Sequence, residues 1–135
     1  MTNATVNLSD SNGRNLLSLV VNYGDAPMLQ WLLTKDPALD QQDRNGWTAL
    51  HFAAQAYAVE MAALLILSGA TVDLADNFGN TPLWRAVFES RGQGAMLHLL
   101  LTNGANPDQP NNSGISPRQL AETIANFDVK QFLSQ

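Results

Sequence analysis

His51 and His98 are the only histidines of this chain and the side chains best suited to proton transfer or metal binding near neutral pH. Neither has a second imidazole or a suitably spaced carboxylate beside it, and no cysteine is present to add a thiolate ligand. The chain also lacks the Gly-x-Ser-x-Gly run of many hydrolases and the Gly-x-x-x-x-Gly-Lys-Ser/Thr run that binds phosphates. We therefore predict no catalytic residue, no metal site and no cofactor.

The composition is typical of one soluble globular domain. Of the 135 residues, 45% are hydrophobic and 14% are charged, and a chain of this length can bury a core of its own. The first ten residues lack the basic start and apolar run of a secretory signal, and no later segment has the roughly 18 consecutive apolar residues of a membrane span. We expect a cytoplasmic protein with no membrane partner.

The net charge is −5, and the seven Lys and Arg residues are scattered along the chain. Because binding to nucleic acid depends largely on Lys and Arg, we expect no nucleic-acid partner. The acidic balance favours a basic protein as a partner, although acidity of this size also simply keeps proteins soluble.

Four similar turn segments divide the chain. Each has Asp or Asn three residues before a glycine, and the glycines are Gly13, Gly46, Gly79 and Gly114, spaced by 33, 33 and 35 residues. Asp and Asn can accept hydrogen bonds from the nearby backbone, and glycine adopts positive φ without a steric penalty, so each segment predicts a tight turn. A period near 33 predicts stacked repeats.

Two helices are predicted in each repeat. The first begins after a residue that can cap the free backbone N–H groups, and these residues are Asn15, Thr48, Thr81 and Ser116. It carries a small or branched residue where it approaches its neighbour, namely Val20, Ala53, Ala86 and Ala121. The second is predicted from the apolar runs 28–33, 61–67, 96–101 and 129–133, with core positions at Trp31, Leu32, Leu65 and Leu100.

The segment Asp43-Arg-Asn-Gly-Trp-Thr-Ala-Leu-His-Phe-Ala-Ala54, followed by Ser68-Gly-Ala70, resembles the ankyrin repeat, as does Gly79-Asn-Thr-Pro-Leu83 followed by Asn103-Gly-Ala105. The resemblance implies an all-α solenoid of about four helix-turn-helix repeats with the turn tips on one edge. The predicted segments are a flexible stretch 1–9, an N-terminal capping repeat 10–42, repeats 43–75 and 76–110, and a C-terminal capping repeat 111–135.

Departures from the family pattern are expected to have local causes. Arg118 and Lys130 stand where inner repeats have leucine, which is expected of a solvent-facing end cap. The segment 90–94 contains two extra residues and is either a contact element or ordinary loop variation. Trp84 and Arg85 replace the usual His-Leu pair. We expect Arg85 to pair with Glu89, one helical turn away.

In ankyrin proteins the turn tips and the ends of the first helices form a concave binding surface. Carried over by position, the candidate partner-binding residues are Arg14, Tyr23, Arg44, Asn45, Trp47, Tyr57, Asn77, Phe78, Asn80, Phe88 and Glu89. Trp47 and Phe78 stand out because aromatic and arginine side chains dominate interface energetics. The alternative for both is that each lies flat on a neighbouring turn. His51 matches the family histidine that braces the turn.

The resemblance implies a non-catalytic protein-binding module. We expect it to be a monomer when unbound, although the sequence leaves the oligomeric state open. The chain also resembles small bacterial ankyrin proteins, some of which are immunity proteins encoded beside secreted toxins. That comparison suggests a basic toxin or effector as the partner. The alternatives are an adaptor or regulatory subunit of a larger assembly and, more remotely, an enzyme with an unrecognised site.

Overall fold

The computed structural model describes residues 7–124 and residue 133. The secondary structure of this part of the chain consists of helices and one isolated β-bridge between Ser9 and Asn15. The helices are α1 (Leu16–Tyr23), α2 (Ala26–Leu33), α3 (Ala49–Ala56), α4 (Val59–Leu67), α5 (Pro82–Glu89), α6 (Ala95–Thr102) and α7 (Pro117–Thr123). The predicted all-helical class is confirmed for these residues. The helix predicted over 129–133 falls outside them, apart from Leu133, which is buried.

Each described turn is built on the same side-chain hydrogen bonds. The Oδ1 atom of Asp43 accepts from the backbone N–H groups of Asn45 and Trp47, both at 2.9 Å. Asp10, Asp76 and Asn111 make the equivalent pair of bonds in the other turns. The polar residue that opens each segment therefore fixes the shape of the turn.

Consecutive turns are joined by backbone hydrogen bonds. The N–H of Asn77 donates to the carbonyl of Asn45 at 2.9 Å, and equivalent bonds join Arg44 to Asn12 and Asn112 to Phe78. The turns also approach one another closely. A Cβ atom on Gly46 would lie 2.7 Å from the backbone nitrogen of Asn77, so only glycine fits there.

The four predicted N-caps are confirmed. The side chains of Asn15, Thr48, Thr81 and Ser116 each accept a hydrogen bond from the backbone N–H three residues later. Proline occupies the first helical position of α5 and α7, where the missing N–H has no helical partner to lose.

The core lies between the first helices and the second helices of the stack. Leu32, Leu65 and Leu100 have no exposed surface, as predicted, and Ala53 and Ala86 are equally buried where the first helices pack together.

Trp31 was predicted to be a core residue, and this is wrong, because 41% of its surface is exposed. Trp31 lies on α2, and no described helix precedes α1 to cover that side of the first helix pair. The Lys35 amino group lies 5.2 Å from the centre of the ring and covers part of it instead.

Within the stretch 1–9 that the sequence predicts to be flexible, Asn7 makes a hydrogen bond that recurs in the next repeat. The side chain of Asn7 accepts a hydrogen bond from the backbone N–H of Ala38 at 2.8 Å. One repeat later, Asp40 accepts from the N–H of Thr71 in the same way, at 2.9 Å. The repeating bond pattern therefore includes Asn7, and the first six residues lie outside the described part.

None of the described helices has the length and hydrophobicity needed to cross a membrane. The described residues also contain no group of three or more His, Asp or Glu side chains arranged to hold a metal ion.

Candidate partner-binding groove

The turns and the ends of the first helices border two shallow depressions. One, of about 320 Å³, is lined by Asn12, Arg14, Asp43, Asn45, Trp47, Phe52 and Gln55. The other, of about 270 Å³, is lined by Gln55, Ala56, Tyr57, Glu89, Ser90, Arg91 and Gln93. Gln55 belongs to both. We refer to these two depressions, together with the exposed side chains on the adjoining turns and on α5, as the groove.

Trp47 is a half-buried wall of the groove. Its ring stacks on His51 with 5.8 Å between the centroids and meets Phe52 edge-on at 5.0 Å. Its indole N–H donates to the Oδ2 atom of Asp76 at 3.1 Å, and Asp76 opens the next turn. Trp47 therefore lies against a neighbouring turn, which is the alternative that the sequence left open, and one edge stays accessible.

His51 joins two turns. It is fully buried, its Nδ1 atom accepts from the backbone N–H of Thr48 at 3.1 Å, and its Nε2 atom lies 2.9 Å from the carbonyl oxygen of Asn80. The Nε2 proton is the one donated to that carbonyl, so the ring is neutral. Burial lowers the pKa of His51 below its usual value, although the Asn80 hydrogen bond and the nearby Asp76 oppose the shift. These bonds confirm that His51 braces the turn. The other histidine, His98, is exposed on α6.

Asn80 was expected to contact a partner, but the structure buries it, with only 6% of its surface exposed. Its amide oxygen accepts from the side chain of Asn111 at 2.8 Å, and its backbone N–H donates to Asp76 at 2.9 Å. The first bond holds the third turn against the fourth, and the second closes the third turn itself. Asn80 therefore supports the groove from within and is not part of its accessible surface.

Tyr57 uses its hydroxyl group inside the molecule. The hydroxyl donates to the carbonyl of Gln93 at 2.5 Å and accepts from the backbone N–H of Met96 at 3.3 Å. Burial of the ring raises the pKa of Tyr57 above its usual value, and the hydrogen bond from Met96 opposes this shift. The two extra residues of the segment 90–94 are thereby fixed against α3, and the ring of Tyr57 still lines the groove.

Arg85 is surrounded by aromatic rings. The carbon of its guanidinium lies 5.1 Å from the ring centre of Trp47, 5.6 Å from that of Trp84 and 5.4 Å from that of Phe88. The predicted pair with Glu89 is present, with 3.7 Å between Nη1 and Oε1. The sequence identified Trp84 and Arg85 only as departures from the repeat pattern and did not include them in the site.

The exposed aromatic side chains of the site are Phe78 on the third turn and Phe88 on α5, with 68% and 54% of their surfaces accessible. Arg44, Asn45 and Asn77 are also exposed on the turn tips, although the Asn77 amide donates to the Arg44 carbonyl at 2.6 Å. Arg14 is held in an ion pair by Asp10 at 2.9 Å.

Tyr23 does not line either depression of the groove. It is 81% exposed and borders a separate apolar depression of about 750 Å³ at the start of the stack, beside Met28 and Trp31. Gln55, which the sequence analysis did not select, lines both depressions. The repeat spacing could have identified it, because Gln55 precedes Phe88 by one period.

The acidic excess of the chain lies away from the groove. Four arginines and four carboxylates lie on the first three turns, on α5 and just after α5. They are Arg14, Arg44, Arg85, Arg91, Asp10, Asp43, Asp76 and Glu89. The other described acidic residues lie on second helices, on the loops near them or on α7, and these are Asp25, Asp36, Asp40, Glu60, Asp73, Asp108 and Glu122. The net charge therefore gives no reason to expect a basic partner at this groove.

Comparison with known proteins finds the same repeat. The family model for ankyrin repeats (three copies) matches residues 17–111. A putative palmitoyltransferase ZDHHC13 from Danio rerio is 33% identical over 123 residues, which cover 90% of this chain and 19% of that protein. A putative ankyrin repeat-containing protein from Treponema pallidum is 33% identical over 116 residues, covering 85% of this chain and 38% of the relative. The neurogenic locus notch homolog protein 1 of Mus musculus is 36% identical over 86 residues, covering 64% of this chain and 3% of the relative. This chain thus spans only a minor part of each relative's length.

Proposed function

The chain belongs to the ankyrin-repeat family, and from that premise we propose that it is a non-catalytic module that binds another protein through the groove. The observation that carries this proposal is the pair of exposed aromatic side chains, Phe78 on the third turn and Phe88 on α5. Large apolar groups of this kind gain most when a partner removes them from water.

The turns of the groove are joined to one another by side-chain hydrogen bonds. Trp47, His51 and Asn80 each make a hydrogen bond that joins one turn to the next. A surface that is already ordered loses little conformational entropy on binding, and this favours affinity. The supporting residues and the contacting residues therefore have separate roles.

The mode of action that we propose is occlusion, in which the partner's own functional surface is covered. An immunity protein that neutralises a cognate toxin acts in this way, and this is the specific role that we propose. An adaptor or regulatory subunit would hold its partner without blocking it. The groove carries equal numbers of arginines and carboxylates, so its charge does not distinguish a toxin from the partner of an adaptor.

The proposal is tested by recovering the partner with the tagged full chain from its native host, then measuring the affinity of purified variants for it. We expect Phe78→Ala and Phe88→Ala each to weaken binding by about 30-fold, the equivalent of about 2 kcal/mol for an interface hot spot. The matched control is Leu67→Ala, which removes an apolar side chain that is 86% exposed at the end of α4.

The result that contradicts the groove is a partner whose affinity is the same for Phe78→Ala, Phe88→Ala and the wild type. The partner's own activity, assayed with and without the chain, separates the two modes of action. Loss of activity in the complex supports occlusion, whereas unchanged activity indicates an adaptor.

A further inference from the structure

We propose that Arg85 determines which partners the groove accepts, by binding a carboxylate of the partner that lies next to an apolar side chain. This inference rests on the proposed function of the groove and adds a chemical requirement for its ligand. The partner's contact segment would then present Asp, Glu or a chain-terminal carboxylate, which is the opposite of the charge that the sequence alone suggests.

The first support is the position of Arg85 in the repeat. Leu19, Phe52 and Leu120 occupy the equivalent place in the other repeats, so three of four copies carry an apolar residue there. Phe52 is buried, Leu19 and Leu120 are half-buried, and 20% of the Arg85 side chain is exposed. An arginine at a largely apolar, partly buried position loses hydration and lowers stability unless other groups compensate for it. Departures of this kind from a local rule are expected at functional sites.

The second support is that the N–H donors of the guanidinium make no hydrogen bonds to the described residues. It carries five N–H bonds, and none of them makes a hydrogen bond to any described residue. The Nε atom is buried without a partner among the described residues. Glu89, its one counter-ion among the described residues, is 3.7 Å away, which is too far for a hydrogen bond.

The third support is that the guanidinium is already held in place. Trp47 contacts it from the neighbouring repeat, while Trp84 and Phe88 contact it from α5, all within 5.1 to 5.6 Å of the guanidinium carbon. The rings of Trp84 and Phe88 are nearly parallel, with 5.9 Å between centroids and 8° between planes. A planar fork fixed in this way needs little reorganisation to bind a carboxylate through two hydrogen bonds.

The surroundings of Arg85 indicate a carboxylate on a protein segment, and not a small free anion. Phe88 exposes 54% of its surface beside the guanidinium, and the depression next to it continues along Tyr57 and Gln93. A side chain that carries its carboxylate next to an apolar neighbour can satisfy the arginine and cover the ring in one contact. A free anion would leave the ring exposed to water.

The inference is tested by selecting peptides from a random dodecapeptide phage library on the immobilised full chain. We expect the selected peptides to carry Asp or Glu beside an apolar residue. In a synthetic peptide from this set, changing the acidic residue to its amide should weaken binding to the wild type by roughly tenfold or more. The same change should make no difference to binding by Arg85→Leu.

Arg85→Leu is a suitable variant because leucine is the native residue at this place in the first and fourth repeats. It should fold, and its melting temperature should exceed that of the wild type, since a poorly hydrated cation is removed. A gain in stability together with the loss of carboxylate preference would be difficult to explain by misfolding. Arg85→Lys keeps the positive charge but lacks the planar guanidinium with its paired N–H donors. It should therefore retain only part of the preference for a carboxylate.

Three results would overturn the inference. The selected peptides could lack an acidic residue, the library could yield no enriched peptide, or the change from acid to amide could weaken binding to Arg85→Leu as much as to the wild type. Phe78→Ala separates this failure from failure of the groove itself. If the peptides depend on Phe78 but not on Arg85, only the carboxylate preference is wrong. If they depend on neither Phe78 nor Phe88, the proposed function is wrong as well.

Discussion

The Nε2 atom of His51 donates its proton to the carbonyl oxygen of Asn80 at 2.9 Å, across the boundary between two repeats. The other ring nitrogen accepts from Thr48, the N-cap of the same helix. One neutral imidazole therefore fixes the start of α3 and the end of the following turn. Trp47 stacks on this ring, so the bond also sets the position of a groove wall.

The pH dependence of stability is predicted from this bond. Because burial lowers the pKa of His51 in the folded state, the unfolded chain binds the proton more readily. The contribution of His51 to stability should be complete above the unfolded pKa of about 6.5 and should decrease as the pH falls below it. Urea denaturation of the wild type at a series of pH values between about 7 and 5 measures this decrease.

His51→Gln tests the assignment, because Gln119 already holds the equivalent cap in α7 through its side-chain oxygen. The variant should keep the cap, lose the bond to Asn80 and be less stable by about 1–2 kcal/mol at pH 7. It should also lose most of the decrease in stability between pH 7 and pH 5. His98→Gln, at an exposed position, should behave like the wild type. Equal pH dependence in the wild type and His51→Gln would assign the effect to another group.

Alanine substitutions of the turn glycines should destabilise the chain in a predictable order. Gly79 and Gly114 have similar positive φ angles, +81° and +77°, so both variants adopt an unfavourable backbone conformation, which costs about 1 kcal/mol. A Cβ on Gly79 would also lie 2.6 Å from the Asn112 amide oxygen, whereas no described atom lies within 4 Å of one on Gly114. We expect a loss of about 3 kcal/mol or more for Gly79→Ala, measured by urea denaturation.

Gly114→Ala is the control for this comparison, since it measures the cost of a positive φ angle for alanine without a close contact to the next turn. Gly13→Ala should fall between the two, because its Cβ would lie 3.3 Å from the backbone of the next turn. If all three variants lost the same stability, the close approach of the turns would be irrelevant and the positive φ alone would explain the glycines.

Trp31 and Leu32 show how far the repeat pattern alone could predict the fold. Both lie in one apolar run, yet Leu32 is fully buried and Trp31 is 41% exposed. Periodicity identifies which positions of a unit face another unit, and this was enough to predict the described helices, the N-caps of the first helices and the positions of the turns. It does not show which units have a neighbour on each side, and Trp31 lies on a side that no described helix covers.

The site was predicted less completely than the fold, because several of its residues are defined by distant partners. Phe78 was expected on an exposed tip and is exposed there. Asn80 occupies the same turn, but its bond partner Asn111 is 31 residues away, and nothing local indicates that bond. The contact between Arg85 and Trp47 likewise depends on how two repeats stack, and only the stacked structure brings these side chains together.

Removal of the Tyr57 hydroxyl should loosen the segment 90–94 and leave the helices intact. Tyr57→Phe deletes the bond to Gln93 and the bond from Met96, so the free energy of unfolding should fall by about 1–2 kcal/mol. The backbone N–H of Met96 should exchange with solvent faster in the variant, which hydrogen-exchange mass spectrometry can measure. Tyr23→Phe is the control, because Tyr23 is 81% exposed. Unchanged exchange at Met96 would show that the segment is held by other contacts.

Trp47 and Phe78 should respond to alanine substitution in opposite ways. Trp47→Ala removes the stack on His51 and the bond to Asp76, so it should lower the free energy of unfolding by about 3 kcal/mol. Phe78→Ala removes a ring that is 68% exposed and should change stability by less than about 0.5 kcal/mol. Urea denaturation of the two variants under identical conditions measures the difference. Weaker partner binding by Phe78→Ala can then be assigned to a lost contact, whereas weaker binding by Trp47→Ala also includes the effect of a displaced turn. A large loss of stability in Phe78→Ala would show instead that this ring supports the groove, and the contacting role would then rest on Phe88 alone.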